Sequence, residues 1–213
     1  MSDPERALKV FELLRREYPD VKGTALNYGS PLELLVATIL SAQCTDAKVN
    51  QVTRSLFQKY RTPEDYADAD PREFEEAIKP TGFYRAKARS IIGSCRMIVE
   101  RFGSQVPRTM EELTSLPGVA RKTANVVLSN AFHVDEGVAV DTHVMRLAKR
   151  LSFTEHKARE KIEQDLMRLF PKEYWFPLSN LLIAHGRKVC TARKPNCTGC
   201  VVNRLCPSAF TFS

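Results

Sequence analysis

Four cysteines, Cys190, Cys197, Cys200 and Cys206, follow the spacing C-x6-C-x2-C-x5-C and constrain the fold more than any other feature. The segment around them is too poor in apolar residues to build its own core. Four thiols within seventeen residues therefore point to a loop organised by metal. Structural zinc usually takes its thiolates as two short-spaced pairs, and only Cys197–Cys200 is short here. An iron–sulfur cluster needs thiolates that converge from several sides, which uneven loops provide, so the spacing favours iron–sulfur and leaves zinc open. Cys44 and Cys95 fall in helical pattern and read as buried, inert thiols. The opening MSDPERALKVFELLRREYP lacks the apolar core of a signal peptide. An intracellular, reducing setting is expected, in which six cysteines argue against a disulfide framework.

The periodicity elsewhere predicts an all-α chain. Ser2 with Pro4, Ser30–Pro31, Thr62–Pro63 and Asp70–Pro71 each read as a capping residue followed by a proline in the first turn. Helices are predicted from Ser30–Pro31 to about Gln43, from Thr45 or Asp46 to about Tyr60, and over 84–102. Others are predicted over 111–116, 121–132, 142–151, 155–170 and 173–186. The best strand candidate, Val138–Val140, is too short to seed a sheet. No run approaches the ~20 apolar residues that cross a bilayer.

Charge is placed unevenly. With 32 Lys and Arg against 25 Asp and Glu the formal net charge is +7, and no acidic residue follows Glu173. Arg193 and Lys194 sit at the centre of TARKPN, between the first two cysteines, where a metal-held loop would project two cations. A phosphate contact and a solvated loop both fit that placement.

Leu116-Pro117-Gly118-Val119-Ala120 joins two helical segments by a tight turn, with Gly118 free to adopt a positive φ. A turn that leads into a helix leaves outward N–H groups that suit a phosphate. Lys122 lies in the first turn of the second helix beside Arg121. Both the helix dipole and the guanidinium disfavour an ammonium there, so an amine shielded from water would be a candidate nucleophile for an electrophilic sugar carbon. As a lone residue it reads more readily as a surface lysine that contacts phosphate. Asp141, in Val140-Asp141-Thr142-His143, opens a helix and reads both as an N-cap and as a carboxylate that supports such chemistry. His143 reads as a DNA contact or a structural histidine.

Together these segments resemble the endonuclease III family, bifunctional DNA glycosylase/lyases of the helix-hairpin-helix superfamily that carry an iron–sulfur cluster. SAQCTD (41–46), LPGVARKTANVVL (116–128), VAVDTHVMRLAKRL (138–151), HGRKVC (185–190) and the cysteine spacing carry the resemblance over nearly the whole chain. It implies a two-lobed all-α fold: a six-helix barrel lobe over 23–132 and a 4Fe–4S lobe from 1–22 with 133–213. It also implies catalytic Lys122 and Asp141 facing each other across duplex DNA, and cluster ligands Cys190, Cys197, Cys200 and Cys206. The implied activity is removal of oxidised pyrimidines and β-elimination at abasic sites through a Lys122 Schiff base. The expected partner is double-stranded DNA with damaged bases or abasic sites, bound by a monomer in the cytoplasm, at the nucleoid in a bacterium.

The resemblance further implies that Gln43 fills the space left by an extruded nucleotide. Phe83 stands where the family usually has a leucine-like wedge. Gly118, Ala120, Arg121, His143, Arg193 and Lys194 are the remaining expected DNA contacts. Ala120 replaces the family's common second hairpin glycine, so its methyl group is expected to adjust the phosphate contact. A monofunctional mismatch glycosylase is the nearest alternative, weakened by the presence of Lys122 and by the end of the chain at Ser213. A non-catalytic DNA-binding module is weakened by Asp141.

Overall fold

Four helix starts share one device, a side-chain cap followed by proline at the first or second helical position. In the computed structural model, which describes residues 3–21 and 23–211, Asp3, Ser30, Thr62 and Asp70 cap helices α1 (Pro4–Glu17), α2 (Pro31–Leu40), α4 (Pro63–Ala67) and α5 (Pro71–Ile78). Each cap accepts a backbone N–H of the first turn, and proline costs nothing where that N–H has no intrahelical partner. Ser2 lies outside the described residues, and it is Asp3 Oδ1 that accepts from the Glu5 amide. Thr45 caps α3 (Asp46–Lys59) and Thr109 caps α7 (Met110–Ser115). The remaining helices are α6 (Tyr84–Phe102), α8 (Arg121–Val127), α9 (Thr142–Arg150), α10 (Arg159–Leu169) and α11 (Trp175–Lys188). No strand occurs among the described residues, so the chain is all-α, and Val138 and Val140 are buried in a helical core instead.

Three predicted boundaries move, each for a local reason. Helix α2 stops at Leu40, and residues 41–44 form a turn in which the Cys44 amide bonds the Ser41 carbonyl. Cys44 therefore lies in a turn, not a helix, half-buried against the core. Helix α10 starts at Arg159 because Thr154 and His156 are held out of it: both bond Asp165, at 2.5 and 2.7 Å. A 3-10 turn, Lys172–Tyr174, occupies the predicted first turn of α11.

The chain divides into two compact units, Thr24–Val134 and Met1–Gly23 with Asp135–Ser213. In the first, α6 is the central helix, packed against α2, α4 and α5, while α8 lies on α2 and α7. Its core holds Leu34, Leu40, Ile78, Ile91, Ile98, Leu113 and Val127, each fully buried aliphatic side chain being worth about 1.5–3 kcal/mol. Helix α8 runs on into a π turn, Leu128–Phe132, where the Ser129 hydroxyl and the Asn130 amide donate to the Asn125 and Val126 carbonyls. In the second unit α9 packs against α10 and α11, and α1 closes on α11 through Ala7, Val10, Phe11 and Leu14. No helix among the described residues is long and apolar enough to cross a membrane.

Candidate active site and cysteine segment

The turn before Lys122 is seated on α6. Leu116 and Val119 point inward, 2% and 5% exposed, and the Val119 amide bonds the Leu116 carbonyl to close the turn. Ser94 Oγ donates to the Pro117 carbonyl at 2.8 Å. Gly118 has φ +74, and a Cβ there would lie 2.5 Å from Ser90 Oγ and 2.6 Å from Ser90 Cβ. Two constraints thus require glycine: the left-handed backbone and the close approach of α6. The approaching group is the Ser90 side chain. Ala120 occupies the N-cap of α8 with φ −84 and ψ 166, an ordinary extended conformation that accommodates a methyl group without strain. No side chain caps α8. Arg121 and Lys122, its first two residues, are exposed, so the protein alone does not shield the Lys122 amine from water.

Gln43 and Phe83 belong to the same unit. Both occupy left-handed backbone, φ +53 and +48, at exposed turns. Phe83 is 65% exposed, so it is no core residue.

Asp141, in the other unit, is half-buried at the N-cap of α9. Its Oδ1 accepts from the His143 amide at 2.8 Å and the Val144 amide at 2.9 Å, while Oδ2 takes no part in the cap. His143 is half-buried. Its Nδ1 lies 3.1 Å from Arg146 Nη2, which also donates to the Gly186 carbonyl at 2.9 Å. Burial pulls the His143 pKa below the ordinary histidine value, and Arg146 and Arg187 add to the effect against the opposing pull of Asp141. A Cβ on Gly186 would fall 2.9 Å from His143 Nδ1, so the glycine of HGRKVC lets α11 pass close to α9.

The four cysteines line one pocket with Val189, Pro195 and Arg150. Among the described residues, no three His, Cys, Asp or Glu side chains converge as they would on a single metal ion. Backbone bonds shape the segment: the Asn196 amide to the Val189 carbonyl, the Cys200 amide to Cys197, and the Cys206 amide to Asn203. Burial pushes the Cys200 and Cys206 thiols up, and the neighbouring cysteines push in the same direction. Four crowded thiols resist joint ionisation unless a cationic group binds among them, and a coordinated thiol is deprotonated outright. The donor set fits an iron–sulfur group.

Two contacts to this segment come from residues that the motifs contain but do not single out. Arg150 Nη1 donates to Cys190 Sγ at 3.2 Å and to the Thr191 carbonyl at 2.7 Å, while Nη2 bonds the Ala192 carbonyl. It thereby anchors the loop on which Arg193 and Lys194 stand exposed. His185, 2% exposed, lies between Tyr18 Oη at 2.8 Å and Cys200 Sγ at 3.3 Å. Arg150, the last residue of α9, carries no local mark that separates it from a surface cation.

Comparison with known proteins agrees with this arrangement. Residues 36–172 match the helix-hairpin-helix superfamily of base excision DNA repair proteins, and residues 190–206 match the iron–sulfur binding domain of endonuclease III. Endonuclease III of Synechocystis sp. is 52% identical over 208 residues, spanning 98% of this chain and 94% of the relative. That of Escherichia coli K12 is 40% identical over 201 residues, 94% of each chain. A solved non-covalent endonuclease III–DNA complex superposes with a TM-score of 0.93 at 42% identity, covering 99% of this chain and 98% of the other. A trapped endonuclease III–DNA covalent intermediate gives 0.94 at 42% identity, over 99% of both. With the matched ranges spanning the hairpin, the capped aspartate and the cysteine segment, the chain belongs to the endonuclease III family of helix-hairpin-helix base-excision repair proteins.

Proposed function

We propose that the protein is a DNA glycosylase and abasic-site lyase that removes oxidised pyrimidines from duplex DNA, with Lys122 as nucleophile. The observation that carries the reading is an exposed lysine at the uncapped start of α8, behind a turn that α6 holds in place. A free amine there attacks C1′ of the lesion nucleotide, the bond from C1′ to the base breaks, and the base departs. The sugar ring opens to a protonated Schiff base. Loss of a proton from C2′ then breaks the bond from C3′ to oxygen and frees the strand on the 3′ side. Water hydrolyses the imine and returns the amine. Asp141 contributes a carboxylate that stabilises the cationic sugar, its position fixed by its own cap.

A lesion must leave the stack before this chemistry begins. Gln43 fills the vacated space and Phe83 wedges beside the orphaned base. Both sit in left-handed backbone, which costs about 1–3 kcal/mol for such residues. The turn at Gly118 and Ala120, with Arg121, His143, Arg193 and Lys194, contacts the DNA backbone. Cys190, Cys197, Cys200 and Cys206 hold the 4Fe–4S cluster, which when bound cross-links a segment that has little core of its own. The protein works as a monomer in the cytoplasm, at the nucleoid in a bacterium.

Borohydride trapping on duplex DNA with an abasic site or an oxidised pyrimidine tests the reading. The expected result is a covalent adduct that disappears in Lys122→Ala. An adduct that survives the substitution unchanged overturns the nucleophile, and no adduct with either protein points to water as the attacking group.

A further inference from the structure

Lys87 is 5% exposed, an unusual place for a lysine. It stands in the first turn of α6, where the positive end of the helix dipole disfavours a cation. Burial also pulls its pKa below the ordinary lysine value. Two costs fall on one side chain, so something specific must offset them.

The offset is a pair of backbone carbonyls. Lys87 Nζ donates to the Leu40 carbonyl at 2.7 Å and to the Thr81 carbonyl at 2.8 Å. Leu40 ends α2, three residues before Gln43, and Thr81 ends the 3-10 turn Lys79–Thr81, two residues before Phe83. Each carbonyl is thus the base of a short turn whose tip is a left-handed, exposed residue. One ammonium joins the two bases, and the turns have local bonds of their own: the Ala42 amide to the Ile39 carbonyl, and the Gly82 amide to the Lys79 carbonyl. An apolar side chain of equal length would fill the space without burying a charge, but it could not hold two carbonyls at a set separation.

We propose that Lys87 is a positioning residue that fixes the separation of the Gln43 and Phe83 turns, so that both side chains enter the DNA stack together as the lesion nucleotide leaves it. The inference rests on the reading of Gln43 and Phe83 as the stack-filling pair. Displacement of either tip by an ångström is enough to cost a large factor in rate, because the two must fill neighbouring gaps in one duplex.

The test is a mutant cycle in the full-length holoprotein, read as lesion extrusion by stopped-flow fluorescence of 2-aminopurine opposite the lesion. Lys87→Met is expected to slow extrusion by about tenfold or more. In a Gln43→Ala/Phe83→Ala background the same substitution is expected to cost less than about twofold, because there is no pair left to position. If Lys87→Met leaves extrusion unchanged, or slows it equally in both backgrounds, the positioning role is overturned. If Gln43→Ala/Phe83→Ala itself has no effect on extrusion, the stack-filling reading fails, and the proposal falls with it for that separate reason. Should Lys87→Met not fold, the cycle is run with Lys87→Arg, whose planar fork displaces the two carbonyls while keeping the charge. The same coupling is then expected, and its absence overturns the role.

Discussion

Helices α8 and α9 carry the proposed catalytic pair, and they begin in opposite ways. Helix α9 is closed by its own sequence, since Asp141 Oδ1 takes two of the first N–H groups. Helix α8 has alanine at the N-cap and no side-chain cap. Its start is held from behind, by Ser94 on the Pro117 carbonyl and by the fit of Gly118 against Ser90. A carboxylate that caps its own helix needs only local structure to stay in place. A nucleophilic amine cannot serve as a cap, so its position depends on long-range packing, and the open helix end remains available to an anionic partner.

The largest effect expected from this contrast is at Gly118. Gly118→Ala places a methyl group against Ser90 in a left-handed backbone, and should destabilise the holoprotein by about 2 kcal/mol or more in chemical denaturation. A cycle with Ser90→Gly separates the two causes, because removal of the Ser90 side chain relieves the crowding and leaves the backbone strain. Coupling of about 1 kcal/mol between the positions is expected. If Gly118→Ala costs no more than a few tenths of a kcal/mol, the turn is not held by α6, and the contrast with α9 collapses.

The same contrast explains what could be read without coordinates. Asp141 as an N-cap, the prolines at 4, 31, 63 and 71, and the all-α class follow from spacing within a few residues, where backbone and side chain decide the outcome locally. The glycine at 118 was legible as a turn, but its neighbour Ser90 lies 28 residues away on another helix, and nothing local points to it. Arg150 and Lys87 escaped for a related reason. Each looks like a surface cation in a charged stretch, and only packing shows that one bonds Cys190 and the other sits buried. Lys87 does carry a faint mark, since it falls in phase with Ile91, Cys95 and Ile98 on the buried face of α6. The roles of Gln43 and Phe83 came from resemblance alone. Their left-handed backbone and exposure are physical features that composition and periodicity do not encode.

At Asp141 the two functions of one carboxylate can be pulled apart. Asparagine caps as well as aspartate does, so Asp141→Asn should keep stability within a few tenths of a kcal/mol, whereas Asp141→Ala should lose about 1 kcal/mol. Both remove the charge, and both should slow base release in single-turnover assays by about a hundredfold. If Asn is as unstable as Ala, the cap is not what fixes α9. If Asn releases base at the parent rate, the charge has no part in the chemistry, and only the positional half of the comparison stands.

The smallest effect is expected at Ala120, the uncapped position itself. Its backbone is an ordinary extended N-cap, so glycine has no strain to relieve. Glycine is the better N-cap residue but loses more chain entropy on folding, and these opposing terms, about 0.5–1 kcal/mol each, largely cancel. Ala120→Gly should therefore leave stability within about 0.5 kcal/mol. Any larger consequence must come from the DNA side, where the methyl group lies at the helix start that we propose contacts phosphate. An affinity gain below about threefold, in a titration at fixed salt, would mean that the turn already admits the phosphate past alanine. A gain of tenfold or more would show the methyl group standing in the way, and the open end of α8 would then be less open than its missing cap suggests.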